Sequence, residues 1–172
     1  NKGNVDKLQV AWTFHTGDVP QSTGAGAEDQ NTPLQIGDTL YSCTAYGKVF
    51  ALDVDTGKQR WMFDPKGSAP NWQRCRGLGY SETPLAADSG PQACAKRLFL
   101  PTGDARLIAL DAETGEPCAD FGNNGVVDLS VDMGEIKPGY YQQTSTPLVA
   151  GEVVIVGGRV ADNFSTGEPP GV

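Results

Sequence analysis

The stretch VFALDVDTGKQRW at residues 49–61 returns as LIALDAETGEPCADF at residues 107–121, and this repetition decides the fold. The tripeptide Thr-Pro-Leu precedes each copy and appears a third time at Thr146. Spacings of about 50 to 60 residues are typical of repeat folds in which each unit is a small antiparallel sheet, above all β-propellers. The chain is therefore predicted to consist of repeated sheet units.

Each unit fits four short strands joined by tight turns, and the two sheets are expected at about residues 32–64 and 81–122. In the first unit, residues 32–64, the apolar runs TPLQI, TLYSCTA, KVFALDV and QRWMFDP are separated by glycine-containing turns. Asp53 opens an Asp-x-x-Thr-Gly turn, and Trp61 is expected on the fourth strand, where its indole can pack between sheets and donate to a backbone carbonyl. The second unit has Ala119 in place of this tryptophan, and Phe121 is the candidate to replace the lost contact.

Composition supports a turn-rich β protein and excludes several functions. The 172 residues include 22 glycines and 12 prolines, as many tight turns require. The 13 basic and 21 acidic residues give a net charge of −8, which opposes binding to nucleic acid or to an anionic membrane surface. The longest apolar stretch, VVIV at 153–156, is too short for a transmembrane helix. A small molecule is the expected partner.

The four cysteines, Cys43, Cys75, Cys94 and Cys118, fit no Cys-x-x-Cys metal or redox spacing. If the strands run from the inside to the outside of each sheet, successive turns alternate between the two faces of the propeller. Cys43 and Cys75 then share one face, and Cys94 and Cys118 share the other. We predict these two disulfides, with four buried thiols as the alternative.

Several motifs resemble one family over essentially the whole chain. The repeat Ala-Leu-Asp-x-x-Thr-Gly-Lys-x-x-Trp is similar to the tryptophan-docking repeat of the quinoprotein dehydrogenases, eight-bladed propellers that carry pyrroloquinoline quinone (PQQ) on their axis. Further segments resemble, in order and spacing, the membrane-bound quinoprotein glucose, quinate and shikimate dehydrogenases. These segments are AWTFHTGD (11–18), GDTLYSCTA (37–45), NWQRCRGLGY (71–80), KPGYYQQTSTPLV (137–149) and VADNFSTGEPPGV (160–172).

The resemblance implies an all-β fragment of an eight-bladed quinoprotein β-propeller, with about two blades and the start of a third. The expected units are a lead-in strand and loop at 1–31, a first blade unit at 32–66, a second at 67–123 and the start of a third at 124–172. An unclosed propeller leaves a blade face and strand edges without partners. The piece alone is therefore expected to self-associate or to be marginally stable.

The resemblance places the PQQ site on the face that collects the turns between second and third strands and the connections between units. PQQ is a planar tricarboxylate with an ortho-quinone, so its site needs a guanidinium and hydroxyl donors. Arg76, in Cys-Arg-Gly-Leu-Gly-Tyr, resembles an Arg-Gly segment that contacts PQQ in the family, and its planar fork suits a carboxylate. The alternative is a surface arginine paired with one of the many acids.

Hydroxyl groups are the other expected PQQ contacts. The resemblance places Thr144 and Ser145 against a PQQ carboxylate, although such a pair is also an ordinary cap at a strand entry. Tyr46 is expected near the cofactor at a position where glucose-type relatives often have histidine. That difference leaves the substrate open.

Asp162 and Asn163, in Ala-Asp-Asn-Phe-Ser-Thr, resemble the segment that supplies metal ligands in the family. Ca²⁺ is a hard cation that takes carboxylate and amide oxygens, and Mg²⁺ stays an open alternative. Without the resemblance, Asp-Asn is a common turn dipeptide.

The resemblance implies a PQQ-dependent dehydrogenase that oxidises a sugar or cyclic polyol of the glucose, quinate or shikimate type in the periplasm. Substrate hydride would pass to the quinone, a carboxylate base would take the hydroxyl proton, and electrons would pass to ubiquinone. Family members carry an N-terminal inner-membrane anchor, which is expected to precede this sequence. No aspartate here matches the family's base segment, so the piece alone is expected to be inactive.

The rival interpretation is a non-catalytic propeller of the same repeat type, such as an outer-membrane assembly scaffold. A scaffold would share the tryptophan repeat but has no reason to keep Cys-Arg-Gly-Leu-Gly-Tyr or Ala-Asp-Asn-Phe-Ser-Thr. These two segments therefore favour the enzyme.

Overall fold

The computed structural model describes residues 2–19, 26–70, 73–84, 90 and 92–160. Within these ranges the chain forms short strands and turns, with one 3-10 turn at Val5–Lys7 and no α-helix. The predicted all-β class is thus confirmed. No helix in the same ranges is long and apolar enough to cross a membrane.

The first unit forms a four-stranded antiparallel sheet in chain order, as predicted. Its strands are β1 (Leu34–Ile36), β2 (Thr39–Cys43), β3 (Val49–Asp53) and β4 (Gln59–Phe63). Each of the three connecting turns contains a glycine with positive φ, namely Gly37, Gly47 and Gly57. The turn residues singled out in the sequence therefore set the strand boundaries.

The second unit forms an equivalent sheet whose outer strand begins later than the sequence suggested. Its strands are β5 (Gly79–Glu82), β6 (Lys96–Pro101), β7 (Arg106–Asp111) and β8 (Val126–Asp128). Between β7 and β8 the chain forms an isolated bridge from Pro117 to Leu110 and then turns. The sheet therefore spans residues 79–128, and not the predicted 81–122, because Ala119 lies in this turn and not on the outer strand.

Two smaller strand pairs follow. β9 (Tyr141–Gln143) pairs antiparallel with β12 (Gly158–Val160), and between them β10 (Leu148–Ala150) and β11 (Val153–Ile155) form a hairpin. A Cβ atom on Gly158 would lie 2.4 Å from Cε2 of Tyr141, so this position needs glycine. The pairing of β9 with β12 was not predicted.

The hydrophobic core lies between successive sheets. One cluster joins the first and second sheets and includes the fully buried Val49 and Leu98. A second cluster joins the second sheet to the hairpin and includes Phe99 and Val149. Because β6 is covered on both faces, its residues from Leu98 onward are continuously buried. This stacking of sheets on their faces is the packing expected of propeller blades.

Trp61 docks onto the next sheet as the sequence predicts. Its indole Nε1 donates to the backbone oxygen of Ala112 at 3.1 Å. The ring lies against Gly115, where an added Cβ would stand only 2.6 Å from Cε3 of Trp61. Gly115 also has φ +79°, so this turn needs glycine for its conformation and for its contact.

Trp12 makes the same contact with the first sheet. Its Nε1 donates to the backbone oxygen of Val54 at 2.9 Å, and its ring lies against Gly57. Val54 and Gly57 occupy the same places in their turn as the partners of Trp61 do in the next unit. The lead-in segment therefore docks a tryptophan onto the first sheet in the same way that β4 docks one onto the second.

Phe121, the candidate to replace the missing tryptophan, packs against its own sheet, and its docking onto the next unit stays a prediction. It packs edge to face on Phe99, with ring centroids 5.5 Å apart, and joins the cluster between the second sheet and the hairpin.

Both predicted disulfides are confirmed. Cys43 bonds Cys75 with Cα atoms 6.0 Å apart, and Cys94 bonds Cys118 with Cα atoms 5.8 Å apart. The assignment of alternate turns to opposite faces, from which these pairs were predicted, is therefore correct for the first two units.

Candidate functional site

The connections that lead into three consecutive units lie side by side at one face. The N–H of Glu28 donates to the carbonyl of Gln73 at 3.0 Å, and the N–H of Thr32 donates to that of Arg76 at 3.0 Å. On the other side, the N–H of Arg76 donates to the carbonyl of Thr144 at 3.2 Å. Arg76 is therefore the middle member of a ladder that joins all three units.

The side chains of Arg76 and Thr144 also meet. Nη1 of Arg76 donates to Oγ1 of Thr144 at 2.6 Å. Thr144 is only 2% exposed, and Arg76 is half-buried. Thr144 accepts this bond with its oxygen and keeps its own proton to donate.

Arg76 has no carboxylate partner among the described residues, which sets it apart from its neighbour. Arg74, two residues earlier, pairs with Glu28 at 3.4 Å. A half-buried guanidinium without a counter-ion loses solvation that no ion pair returns. Its fork of N–H groups is suited to a carboxylate or quinone oxygen. Arg76 and Thr144 therefore fit an anionic group such as PQQ.

Glycine brings the chain close to the site at Gly77. A Cβ atom there would stand 2.7 Å from Oγ1 of Thr146, and φ is +152°. Ser145, next to Thr144, is exposed, and a Cβ on Gly157 would lie 3.9 Å from its Oγ. Ser145 is therefore exposed one residue along the chain from Thr144.

Tyr46 lies on the same face but in a neighbouring cleft. It is half-buried, and the residues that line the cleft with it include Gly67, Gln73, Arg74 and Gly103. The structure therefore brings together Arg76 and Thr144, with Ser145 the next residue along the chain, and places Tyr46 beside Arg74 in the neighbouring cleft.

The predicted metal ligands Asp162 and Asn163 lie outside the described residues. The last described strand, β12, pairs with the strand that leads directly into Thr144. The metal ligand set stays a prediction from the sequence.

Sequence reasoning missed a repeated threonine in the turns of this face. Oγ1 of Thr44 accepts the N–H of Lys48 at 3.1 Å, and Oγ1 of Thr102 accepts the N–H of Arg106 at 3.0 Å. The spacing Thr-x-x-x-Lys/Arg in both units was the signal that could have revealed it.

Each of these threonines donates to a carboxylate. The same carboxylate forms an ion pair with the basic residue of that turn, Lys48 or Arg106. In the first turn the carboxylate is Asp18, from the lead-in segment, which lies 2.6 Å from Nζ of Lys48. In the second it is Asp104, from the turn itself, which lies 2.8 Å from Nη2 of Arg106. The two turns are thus fixed by the same chemistry with acids from different places in the chain.

The carboxyl of Asp104 has a clearly lowered pKa. Burial alone would raise the pKa of its carboxyl, but hydrogen bonds from Arg106 and Thr102 and the charge of Arg106 outweigh burial and lower the pKa below its ordinary value. The backbone N–H of Ser68 also donates to it at 3.3 Å. Asp104 is therefore ionised, and it links its own turn to Ser68 in the connection between the first and second sheets.

We expect Asp104→Asn to lower the free energy of unfolding of the whole protein by about 1–3 kcal/mol at pH 7. Because the folded-state pKa lies below the unfolded value of about 4, the native carboxylate stabilises the fold above that value and loses this effect as pH falls through the folded pKa. The difference between native protein and variant should therefore shrink in acid.

Denaturant unfolding at about pH 7 and again below about pH 4 measures this change. Asp55→Asn, on an exposed turn residue, is the matched control and should change stability by less than about 0.5 kcal/mol. An Asp104→Asn deficit of equal size at both pH values would contradict the assignment.

Comparisons with known proteins agree with the geometry. The family described as "PQQ: Glucose/ethanol/alcohol dehydrogenase, beta-propeller domain" matches residues 1–172. The chain is 43% identical to the quinate/shikimate dehydrogenase (quinone) of Acinetobacter baylyi, with 100% of this chain and 23% of that protein covered. It is 42% identical to the quinoprotein glucose dehydrogenase of Escherichia coli, with 100% of this chain and 22% of that protein covered.

A solved structure shows the same arrangement of strands. The chain is similar to a europium-containing methanol dehydrogenase with a TM-score of 0.65 and 27% identity, over 93% of this chain and 24% of that one. The chain thus spans about a quarter of the length of the proteins that it matches.

Proposed function

Because the chain belongs to the β-propeller domain family of the PQQ-dependent glucose, ethanol and alcohol dehydrogenases, we propose that the whole protein is a PQQ-dependent dehydrogenase of a sugar or cyclic polyol. The substrates named for its relatives, glucose and quinate or shikimate, define the class. The observation that carries the proposal is Arg76, which is half-buried, bonded to Thr144 and without a carboxylate partner among the described residues.

The chain's own residues would bind and orient the cofactor. Arg76 would pair with a carboxylate or quinone oxygen, and Thr144 and Ser145 would donate hydroxyl protons to the same group. When bound, PQQ supplies an ortho-quinone that accepts a hydride from the substrate carbon. Asp162 and Asn163 would hold Ca²⁺ or Mg²⁺ through a carboxylate and an amide oxygen.

We further propose that the protein works in the periplasm, is anchored to the inner membrane by a segment outside this chain, and passes electrons to ubiquinone. Its two disulfides support an oxidising compartment. We propose that these 172 residues are inactive alone, because none of their aspartates matches the family's base segment.

Reconstitution of the whole protein tests the proposal. Purified protein is mixed with PQQ and either Ca²⁺ or Mg²⁺, and reduction of a dye is followed with glucose, quinate or shikimate, with PQQ omitted as the control. We expect turnover of at least one substrate that depends on PQQ. Absence of PQQ-dependent turnover with all three substrates would favour the non-catalytic scaffold.

Asp162→Ala in the whole protein should raise the metal concentration needed for PQQ reconstitution by at least about tenfold, because the change removes a charged ligand. The two disulfides and the sheets should stay intact, which circular dichroism can check. Asp55→Ala, at an exposed turn, is the control. Normal metal dependence in Asp162→Ala would remove Asp162 from the ligand set.

A further inference from the structure

We propose that the Cys43–Cys75 disulfide positions Arg76, so that PQQ affinity depends on this bond and not on the Cys94–Cys118 bond. The inference rests on the proposed PQQ function. It adds a role for a bond that is not expected to touch the cofactor.

The disulfide lies next to Arg76 and ties it to the neighbouring sheet. Cys75 immediately precedes Arg76, and Cys43 is the last residue of β2. Their exposed fractions are 1% and 2%, and both belong to the cluster between the first and second sheets. The bond therefore fixes the chain beside Arg76 to the buried core between the first and second sheets.

The segment that carries Arg76 is held by separate hydrogen bonds and by the ion pair of Arg74 with Glu28 at 3.4 Å, and not by a sheet. Between β4 and β5, none of the described residues forms a strand. The backbone of Arg76 makes one hydrogen bond to Thr32 and one to Thr144. A charged fork must be placed within about 0.5 Å to bind a carboxylate through two bonds. A covalent bond one residue away adds a fixed attachment to these two hydrogen bonds.

The second disulfide closes a loop of similar length but lies at the opposite face. The bonded cysteines are separated by 32 residues in Cys43–Cys75 and by 24 in Cys94–Cys118, so the chain-entropy effects of the two bonds are nearly equal. The N–H of Cys94 bonds Asp111 and its carbonyl accepts from Arg97. These partners belong to the turns of the opposite face. Loss of this bond should therefore reduce stability without moving Arg76.

The first test compares Cys43→Ala/Cys75→Ala with Cys94→Ala/Cys118→Ala in the whole protein. PQQ binding is measured by isothermal titration with Ca²⁺ present, at a temperature below the unfolding of both variants. We expect the dissociation constant to rise about tenfold or more in the first variant and less than about twofold in the second. Equal constants in the two variants would overturn the inference.

A double-mutant cycle separates positioning from general destabilisation. Arg76→Ala is measured in the native background and in the Cys43→Ala/Cys75→Ala background. If the disulfide acts through Arg76, the loss of PQQ affinity caused by Arg76→Ala should be several-fold smaller when the disulfide is absent. Additive losses would show that the disulfide acts independently of Arg76.

Chemical reduction tests the role of the Cys43–Cys75 bond even if a cysteine variant fails to fold. Graded dithiothreitol gives two electrons and two protons to each disulfide and closes to its own cyclic disulfide. Alkylation and mass spectrometry then identify which pair has opened. Cys94 is only partly buried, so its bond should open first, with PQQ affinity unchanged. Affinity should fall when Cys43–Cys75 opens, and unchanged affinity at that stage would overturn the inference.

The two proposals fail in different ways. If the unaltered protein does not bind PQQ, the proposed function itself is wrong. If the unaltered protein binds PQQ and opening Cys43–Cys75 leaves its affinity unchanged, only the positioning role is wrong.

Discussion

Arg76→Ala in the whole protein should weaken PQQ binding by about 10- to 100-fold while the propeller stays folded. A hydrogen bond to a charged group contributes about 1.5–3 kcal/mol, and each 1.4 kcal/mol is a factor of about ten in affinity. Arg76 is not a member of either hydrophobic cluster, so its removal leaves the packing between sheets unchanged. Titration of PQQ into apoprotein measures the loss.

Two further variants make this result specific. Arg60→Ala removes the same charge from the opposite face, where Arg60 pairs with Asp38 at 2.9 Å and Asp53 at 2.8 Å. It should leave the PQQ dissociation constant within about twofold, because exposed ion pairs contribute little and are screened. Arg76→Lys should fall between native protein and Arg76→Ala, since lysine keeps the charge but not the fork. Unchanged affinity in Arg76→Ala would refute the site.

Trp61→Ala should lower the free energy of unfolding of the whole protein by about 3–5 kcal/mol, the range for loss of a large aromatic from a packed site. The ring of Trp61 lies 5.9 Å from that of Tyr41, and its Nε1 bonds the carbonyl of Ala112. Alanine would remove the packing and one of the two donors to that carbonyl, which also accepts from the Tyr41 hydroxyl at 2.9 Å. Denaturant unfolding measures the loss.

Two other variants test whether the loss of stability is specific to the docking contact. Gly115→Ala should destabilise the same contact, because its Cβ would collide with Trp61 in a turn with φ +79°. Met62→Ala is the matched control on the same strand, since Met62 is 47% exposed, and it should change stability by less than about 1 kcal/mol. A similar loss in Met62→Ala and Trp61→Ala would contradict the docking role.

The sequence predicted those parts of the fold that local chemistry determines. In the first unit, alternating side chains and glycine turns fix the strands, and the Asp53 turn and Trp61 recur where the repeat requires them. The disulfides followed from the same topology, because strand order alone assigns each turn to a face. Arg76 and Thr144 could be expected together only through the family resemblance, since 68 residues separate them.

The parts that were missed depend on contacts between distant segments. With Ala119 in place of the docking tryptophan, nothing in the sequence shows that the outer strand of the second unit begins only at Val126. Asp18 reaches Thr44 from the lead-in segment, so no local pattern reveals that pair. Tyr46 could be assigned to the face but not to its cleft, because the cleft is formed by the inter-unit connection.

A crystal structure of the whole protein with PQQ and Ca²⁺ is the most direct test of the site. We expect a PQQ carboxylate or quinone oxygen within about 3.2 Å of the guanidinium of Arg76, with Thr144 donating to the same cofactor. We also expect an intact Cys43–Cys75 bond beside them. PQQ on the opposite face, near Arg60, or Arg76 paired with a protein carboxylate in place of the cofactor, would contradict the account.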